Sequence, residues 1–580
     1  MAHSTTVVDL ELLLAKSPRA ALLPELQTRP VSELAETEHG AAILNWARKA
    51  PETTTIPETT YTRYRQFRRM GARAPYEGPY FKKRQLLAQE VMAAWLGNDD
   101  SRIDRLNDLI WSICEETIWV APAHEKNVWT IDLFSAETAV NLAHVLELLG
   151  DRLPEEVRDR VRAEIKSRIM DLYLEHGSEY WWAAGRNNWT GVCAGSIGQT
   201  FLLLEDDVER QAQALALVLE QLERFIEHAF EEDGGCLEGI GYWNYGLIHY
   251  VGFAEMLRAR TNGAIDLLSH EKLRAIAQYP MTVAMGPHVY ASFADSHEHS
   301  AVRPFLAARL AERTGAVGLR GMIGGTTSWR LTTVLRNLTW WDGKPGAMPP
   351  LESVFLPVSG IARLVDESGG VALVLAAKAG HNGEPHNHND VGSFILRVGE
   401  QTYLCDPGGG LYNKDYFGPK RYENVFANSY GHSVPRIGGQ LQAPGAERRG
   451  TMERLEENSI RITFHGAYNV PGLEEAARVI TVHNGRATLE DVFRFRGDGL
   501  EIEEAFITWR NVEVDGSAAR VITGDGVLEI RAEQGTFAAE RLEDACEANQ
   551  KSGVLTRLTV NYPPSPKITA RFTITFHPAK

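Results

Sequence analysis

The sequence predicts a multidomain chain, α then β. The first part is a set of helices packed in a double layer, as in a toroid, and the second is an antiparallel β-sandwich. Three observations carry this. Up to about residue 340 apolar residues recur every third or fourth position. After Gly343-Lys344-Pro345-Gly346 the period falls to two, the spacing of a strand with one buried face. Between two of the later runs stands Asn484-Gly485, a strong signal for a two-residue hairpin turn. The length, 580 residues, exceeds one ordinary core.

In the first part, Val157, Val161, Ile165 and Ile169 form one helical face, opened by Pro154 as a first helical residue. Leu215, Val218, Leu222, Phe225 and Ala229 form another, and Leu142, Val145 and Leu149 a third. Several such segments are apolar on more than one side, which suits a double layer better than a four-helix bundle. Residues 50–55 read as a surface loop. In the second part, residues 370–375, 393–398, 460–464, 478–482, 487–492 and 572–576 read as strands. The predicted boundaries are an N-terminal extension over 1–60, the helical domain over 61–345 and the sandwich over 346–580.

Hydrophobic residues at 44% and charged residues at 23% are ordinary for a globular protein. The net charge of −16 argues against nucleic acid and against a membrane surface as partners, yet allows an anionic substrate in a basic-lined cleft. No apolar run is long enough to span a bilayer. Five scattered cysteines without a CxxC pair predict free thiols, with Cys405 in the core. The N-terminus shows no basic segment followed by an apolar core, so a cytoplasmic protein is expected, or a periplasmic one if a leader has been trimmed. A homodimer is compatible with all of this.

The chemistry-bearing residues cluster. His386-Asn387-His388-Asn389-Asp390 is followed by Asp406, at the end of an apolar run before Pro407-Gly408-Gly409-Gly410, and by His432 in Asn428-Ser429-Tyr430-Gly431-His432. On an extended segment His386 and His388 would point the same way. Two histidines and a carboxylate are a ligand set for zinc, which leaves one histidine over. Asp295-Ser296-His297-Glu298-His299 is ligand-like too, but has no evident further partner.

In the helical part, Trp181-Trp182 precede Arg186-Asn187-Asn188-Trp189. Aromatic faces stack on sugar rings, and Arg and Asn donate to carboxylate and hydroxyl oxygens. The alternative is a core role for the tryptophans and a helix cap for the asparagines. Glu238-Gly239-Ile240-Gly241-Tyr242-Trp243-Asn244-Tyr245-Gly246 offers two tyrosines as proton carriers or substrate contacts, with glycines that permit close approach. The run from Gly410 to Tyr422 mixes Tyr412, Tyr416 and Arg421 with lysines and fits either a cleft wall or a solvated loop.

Taken together and in this order, these motifs resemble the heparinase II/III family of polysaccharide lyases over residues 60–580. The resemblance implies an incomplete (α/α) toroid followed by an antiparallel β-sandwich, with the cleft between them. It implies β-elimination at a 4-O-linked uronic acid, giving a 4,5-unsaturated uronate; the N-terminus without a signal pattern adds the expectation of imported oligosaccharides as substrate. Tyr242 would be the catalytic tyrosine, His386 the histidine acting on substrate, and Asn188 the group that neutralises the uronate carboxyl. Some relatives carry His at the Asn188 position. Asn187, Arg186, Trp182, Tyr245, Tyr412, Tyr416 and Arg421 would contact substrate. His388, Asp406 and His432 would hold one structural zinc per chain. Two other readings compete. A glycoside hydrolase on a toroid could use Glu238 and Asp295, but leaves Tyr242 and the His386/His388 pair unexplained. A non-catalytic zinc-containing carbohydrate-binding protein would have no use for Tyr242 with His386.

Overall fold

The computed structural model describes residues 6–16, 29–50 and 55–579. The expected loop over 50–55 therefore falls mostly outside the described residues, as does the start of the N-terminus. The chain divides into two compact units. The first holds residues 1–230, 242–278 and 301–348, and the second holds 231–241, 279–300 and 349–580. Sequence patterning drew one cut near 345. It could not foresee that two short segments of the helical stretch pack with the sheets.

In the first unit, helices fall into two kinds. Leu133–Leu149 and Asn188–Leu204 are buried almost all round. Val208–His228 and Glu155–Ile165 bury a single stripe. Helices buried all round are inner, and striped ones cover them, which is the double layer that the apolar pattern predicted. The stripe Val157, Val161, Ile165 and Ile169 is buried as expected. Pro154 is the N-cap rather than the first helical residue. Ala229 is likewise a C-cap, half-buried, while Leu215, Val218, Leu222 and Phe225 are core. Helices Val7–Lys16, Val31–Glu36 and Glu38–Arg48 belong to this unit, with Leu10, Leu14, Leu34 and Ile43 buried.

The inner helix Asn188–Leu204 meets Ile240–Arg260 along a face of small residues. A Cβ at Gly191 would stand 2.9 Å from the Gly246 carbonyl oxygen, and one at Gly195 would stand 2.8 Å from the His249 backbone. Larger residues would force the helices apart. The same contact sets the Cα of Asn188 against Gly246, one turn from Tyr242.

The second unit is antiparallel throughout its named sheets. One sheet has eight strands in the order Thr451–Glu456, Ser459–Thr463, Leu473–His483, Arg486–Phe495, Lys567–Pro578, Gly526–Ala532, Ala518–Ile522 and Asn511–Asp515. A five-stranded sheet runs Val354–Leu356, Ile361–Asp366, Leu373–Lys378, Phe394–Val398 and Gln401–Leu404. A four-stranded sheet includes Leu500–Thr508 and Thr556–Ser565. One apolar core joins them, with Leu375 and Leu396 from the second sheet, Ile480, Leu489 and Phe572 from the first, and Phe506 and Leu558 from the third. Asn484 and Gly485 both take positive φ, 53° and 69°, between paired His483 and Arg486. That is the backbone a tight hairpin demands, and it explains the residue choice. The strand expected from 370 begins at Leu373, because Gly370 sits in a turn at φ 80°.

Candidate active site and metal centre

In the sheet unit, His386 and His388 lie on the loop between the strands that end at Lys378 and begin at Phe394. They share one carboxylate. Asp295 takes His386 Nδ1 on Oδ2 at 3.0 Å and His388 Nε2 on Oδ1 at 3.0 Å. Tyr416 donates its hydroxyl to Oδ1 as well, and Arg421 donates Nη2 to Oδ2 at 3.0 Å. Burial works to raise the Asp295 carboxyl. The hydrogen bonds from both histidines, with the charges of His388 and Arg421, outweigh it and hold the group well below the usual carboxylate range. Asp295 is thus an ionised acceptor. A Cβ at Gly409 would meet its Oδ1 at 2.8 Å, so the turn after Asp406 can pass over it only as glycine.

The His386–Asp295 pair is held in uncommon backbone. His386 has φ 55° and Ala294, next to Asp295, has φ 61°. Such left-handed residues cost roughly 1–2 kcal/mol each. His386 is not on an extended segment, as the spacing had suggested. Its turn swings the ring so that Nδ1 faces Asp295 and Nε2 stands 3.7 Å from Glu238 Oε1. The ring also stacks on Tyr412, with centroids 6.4 Å apart and planes 12° apart.

On the far side of His388 is a buried cluster of His388, Asp390, Asp406 and His432, whose potential ligand atoms lie within 4.8 Å of one another. His388 Nε2 is turned to Asp295, and His432 Nδ1 donates to the Asn428 carbonyl at 2.8 Å. Those partners accept only, so each histidine carries its proton there and turns its other nitrogen inward. His388 Nδ1 and His432 Nε2 stand 3.1 Å apart. Asp406 Oδ1 is 3.9 Å from the first and Oδ2 is 3.5 Å from the second. Ligands at the usual zinc distance on a tetrahedron are roughly 3.3 Å apart. Asp406 Oδ2 is buried with no hydrogen-bond partner. Burial and the neighbouring Asp390 push its carboxyl well above the usual range, and burial and His388 push the His432 imidazole down to about 3. A cation reverses both penalties, so the residues fit a metal ion. Asp390, whose Oδ1 takes Lys378 Nζ at 2.7 Å, joins the three expected ligands at the cluster.

Arg478, on the strand Leu473–His483, anchors these loops. It is fully buried, pairs with Asp491 at 2.6 Å, and donates Nη1 to the carbonyls of Gly392 at 2.8 Å and Ser433 at 2.7 Å. Those carbonyls follow Asp390 by two residues and His432 by one. Asn428 caps the turn Ser429–Gly431 and so sets His432.

In the helical unit, Asn187 is the N-cap of Asn188–Leu204, its side chain accepting from the Trp189 amide at 3.1 Å. Asn188, the first helical residue, is buried, and Arg186 is exposed. Tyr242 lies half-buried in the first turn of Ile240–Arg260. Tyr245, one turn on, donates to Glu137 Oε2 at 2.8 Å. The same carboxylate takes His249 Nε2 at 2.9 Å and Arg330 Nε. Burial, then the Glu137 charge, raise the Tyr245 hydroxyl well above its ordinary value, which unfits it as a proton carrier at neutral pH.

Four expected substrate contacts are corrected. Trp182 is 1% exposed, donates to the Ile131 carbonyl and stacks on Tyr180 at 4.9 Å, so it offers no ring face to a sugar. Its neighbour Trp181, on the other side of the turn, is the exposed one. Tyr416 is 2% exposed, Tyr245 spends its hydroxyl on Glu137, and Arg421 spends its guanidinium on Asp295 and the Asn387 and Tyr416 carbonyls. Arg421 and Tyr416 hold Asp295, and so act on the histidines indirectly. Sequence reasoning missed that role of Asp295, and it missed Glu137, His249, Arg330 and Arg478. The acidic-histidine run at 295–299 was the one visible signal, and the sequence offered it no partner.

Residues 348–564 match the family model "Heparinase II/III-like, C-terminal". No curated protein matches the sequence. Among solved structures, a heparinase III superimposes with TM-score 0.69 at 14% identity, covering 99% of this chain and 89% of that one. The heparan sulfate lyase HepC of Pedobacter heparinus gives 0.58 at 14%, covering 99% and 88%. The chondroitin AC lyase of Streptomyces coelicolor A3, in complex with chondroitin sulphate, gives 0.54 at 12%, covering 93% and 80%. These relatives are polysaccharide lyases, and at such identities the likeness is one of fold: an incomplete helical toroid followed by an antiparallel β-sandwich. Residues 348–564 thus form a heparinase II/III-like C-terminal region, and the likeness over the rest of the chain is one of fold.

Proposed function

We propose that the protein is a polysaccharide or oligosaccharide lyase that cleaves 4-O-linked uronic acids by β-elimination. The observation that carries this reading is the carboxylate of Asp295, one oxygen on each member of the His386/His388 pair. It fixes His386 Nδ1 and turns Nε2 toward Glu238 Oε1 at 3.7 Å, with an anion behind the ring to stabilise imidazolium. In the reaction the C5–H bond breaks, its electrons form the C4–C5 double bond, and the C4–O4 bond breaks with O4 taking a proton. Water is not consumed. Tyr242 gives the proton to O4, His386 assists removal of the C5 proton, and Asn188 neutralises the uronate carboxyl as charge builds on it. The substrate class is an anionic uronate polymer or its oligosaccharides.

His388, Asp406 and His432, with Asp390 beside them, hold one zinc ion of structural role. Zinc there would supply positive charge between the buried carboxylates, and the hydrogen bond to Asp295 would fix the His388 ring that holds it. No helix among the described residues is long and apolar enough to cross a membrane. A cytoplasmic site of action on imported oligosaccharides is part of this proposal.

The hydrolase reading loses its second carboxylate, because Asp295 is buried and saturated by His386, His388, Tyr416 and Arg421. The test is a panel of heparan-type, chondroitin-type, alginate and glucuronan oligosaccharides. New ultraviolet absorbance from the unsaturated uronate supports the proposal, and cleavage without it overturns it.

A further inference from the structure

The helical unit contains a cavity of about 630 Å³ that holds none of the residues discussed above as catalytic. The volume lies within the range of small-molecule sites, roughly 300–1,000 Å³. Its walls come from the helix Tyr61–Met70, the segment 117–130 and the turn Lys166–Met170. That last turn is π-helical, set between Glu155–Ile165 and Asp171–His176. Single π turns cost backbone geometry and gather at functional sites. This one delivers Ser167 and Arg168 to the cavity wall.

The lining has a definite chemistry. Tyr61, Tyr64 and Tyr76 form an aromatic series, with ring centroids 6.2 and 6.3 Å apart. Tyr61 is 71% exposed, and Val128 is exposed too, so apolar surface stands open beside it. Thr59, Thr117 and Ser167 add hydroxyls. Among the described lining residues the one cation is Arg168, and it is spent on the wall. Its Nε pairs with Glu164, Nη1 donates to the Glu116 carbonyl at 2.8 Å and Nη2 to the Cys114 carbonyl at 3.3 Å. Its plane lies 4.9 Å over Trp119. The one carboxylate, Glu125, accepts from Tyr64 and Arg68 through Oε2.

Tyrosine faces, hydroxyls and a carboxylate acceptor suit a hydroxyl-rich ring. The cations beside the lining are engaged with it: Arg65 lies over the Tyr61 ring, and Arg68 lies over the Tyr64 ring and pairs with Glu125. A uronate would meet the Glu125 charge, and the nearest cation, Arg68, is already paired with that carboxylate. We infer that this cavity is a second carbohydrate site, specific for neutral pyranose residues and separate from the residues proposed for elimination.

The experiment titrates the intact chain with cellobiose and with glucuronic acid, by calorimetry or by ligand-observed NMR. Binding is read directly, so failure to cleave any polymer leaves this result intact, and the reverse holds too. Two variants are compared with the parent. Tyr61→Ala removes the exposed ring, and Ser167→Trp, at an exposed position of the π turn, fills the space. Cellobiose affinity is expected to fall at least tenfold in each, with glucuronic acid affinity unchanged. The inference is overturned if cellobiose does not bind the parent, if its affinity ignores both variants, or if glucuronic acid loses affinity in the same variants.

Discussion

His388 stands 3.0 Å from Asp295 through Nε2 and turns Nδ1 into the buried His/Asp cluster. One imidazole therefore joins the candidate metal centre to the carboxylate that orients His386. Two hydrogen bonds, His388 to Asp295 and Asp295 to His386, connect that cluster to the histidine proposed to handle the proton.

Asp295→Asn tests that chain. The change keeps the shape, removes the charge and forces one amide hydrogen toward a histidine. Elimination should slow by about 10²–10⁴-fold, the range for loss of acid–base function. Zinc content should remain near the parent's, since Asp295 is not in the ligand cluster. Parent-like turnover would break the link between Asp295 and His386.

His388→Ala should remove the metal and lower the melting temperature. About one zinc per chain is expected in the parent purified without added metal. In the variant the buried Asp406 would face His432 with no cation, so the apo cluster should destabilise the sheet unit. A variant without metal that melts with the parent would refute the structural role.

Tyr242→Phe and Tyr245→Phe should part company. The first should cost at least ~10²-fold in rate with the fold intact, by loss of a proton carrier. The second removes a hydrogen bond to the ionised Glu137 and should cost about 1.5–3 kcal/mol of stability while turnover persists. Denaturant melts and initial rates for both variants would show a reversal at once.

Asn188→Ala should lower kcat more than it raises KM, with a loss near ~2.7–4 kcal/mol in the barrier. Asn188→Asp should be worse, since it sets a second anion beside the uronate carboxyl. An effect confined to KM would move the carboxyl-binding role to Asn187 or Arg186.

Acid should destabilise the helical unit through His144. Burial first, then the Arg336 charge, hold its imidazole down to about 3, and its Nε2 is buried without a hydrogen-bond partner. Unfolded, the ring takes a proton near pH ~6.5. As pH falls from ~6.5 toward 3 the unfolded chain binds a proton that the folded chain refuses, so stability is lost in that window. The loss at pH 5 is on the order of 2 kcal/mol. His144→Leu should flatten that part of the pH dependence in urea melts, and an unchanged slope would show that His144 is not its source.

Much of the fold was legible because its signals are local. The stripe from Val157 to Ile169 and the Asn484-Gly485 turn need only neighbours in sequence. His388, Asp406 and His432 were legible for a related reason, as ligand types gathered within fifty residues. Asp295, Glu137, Arg330 and Arg478 were not, since each acts through partners far along the chain. Arg330 reaches Glu137 across 193 residues, and Asp295 reaches His388 across 93. Trp181 and Trp182 show the limit for surfaces. Adjacent residues of one type point to opposite sides of a short helical turn, and only packing decides which ring meets solvent.

The central claim is bond cleavage without water. Cleavage of the best substrate in heavy-oxygen water, read by mass, tests it most directly. The account predicts products with no heavy oxygen, whose masses sum to that of the substrate. Incorporation of one heavy oxygen per bond cleaved, with products heavier by one water, would contradict it.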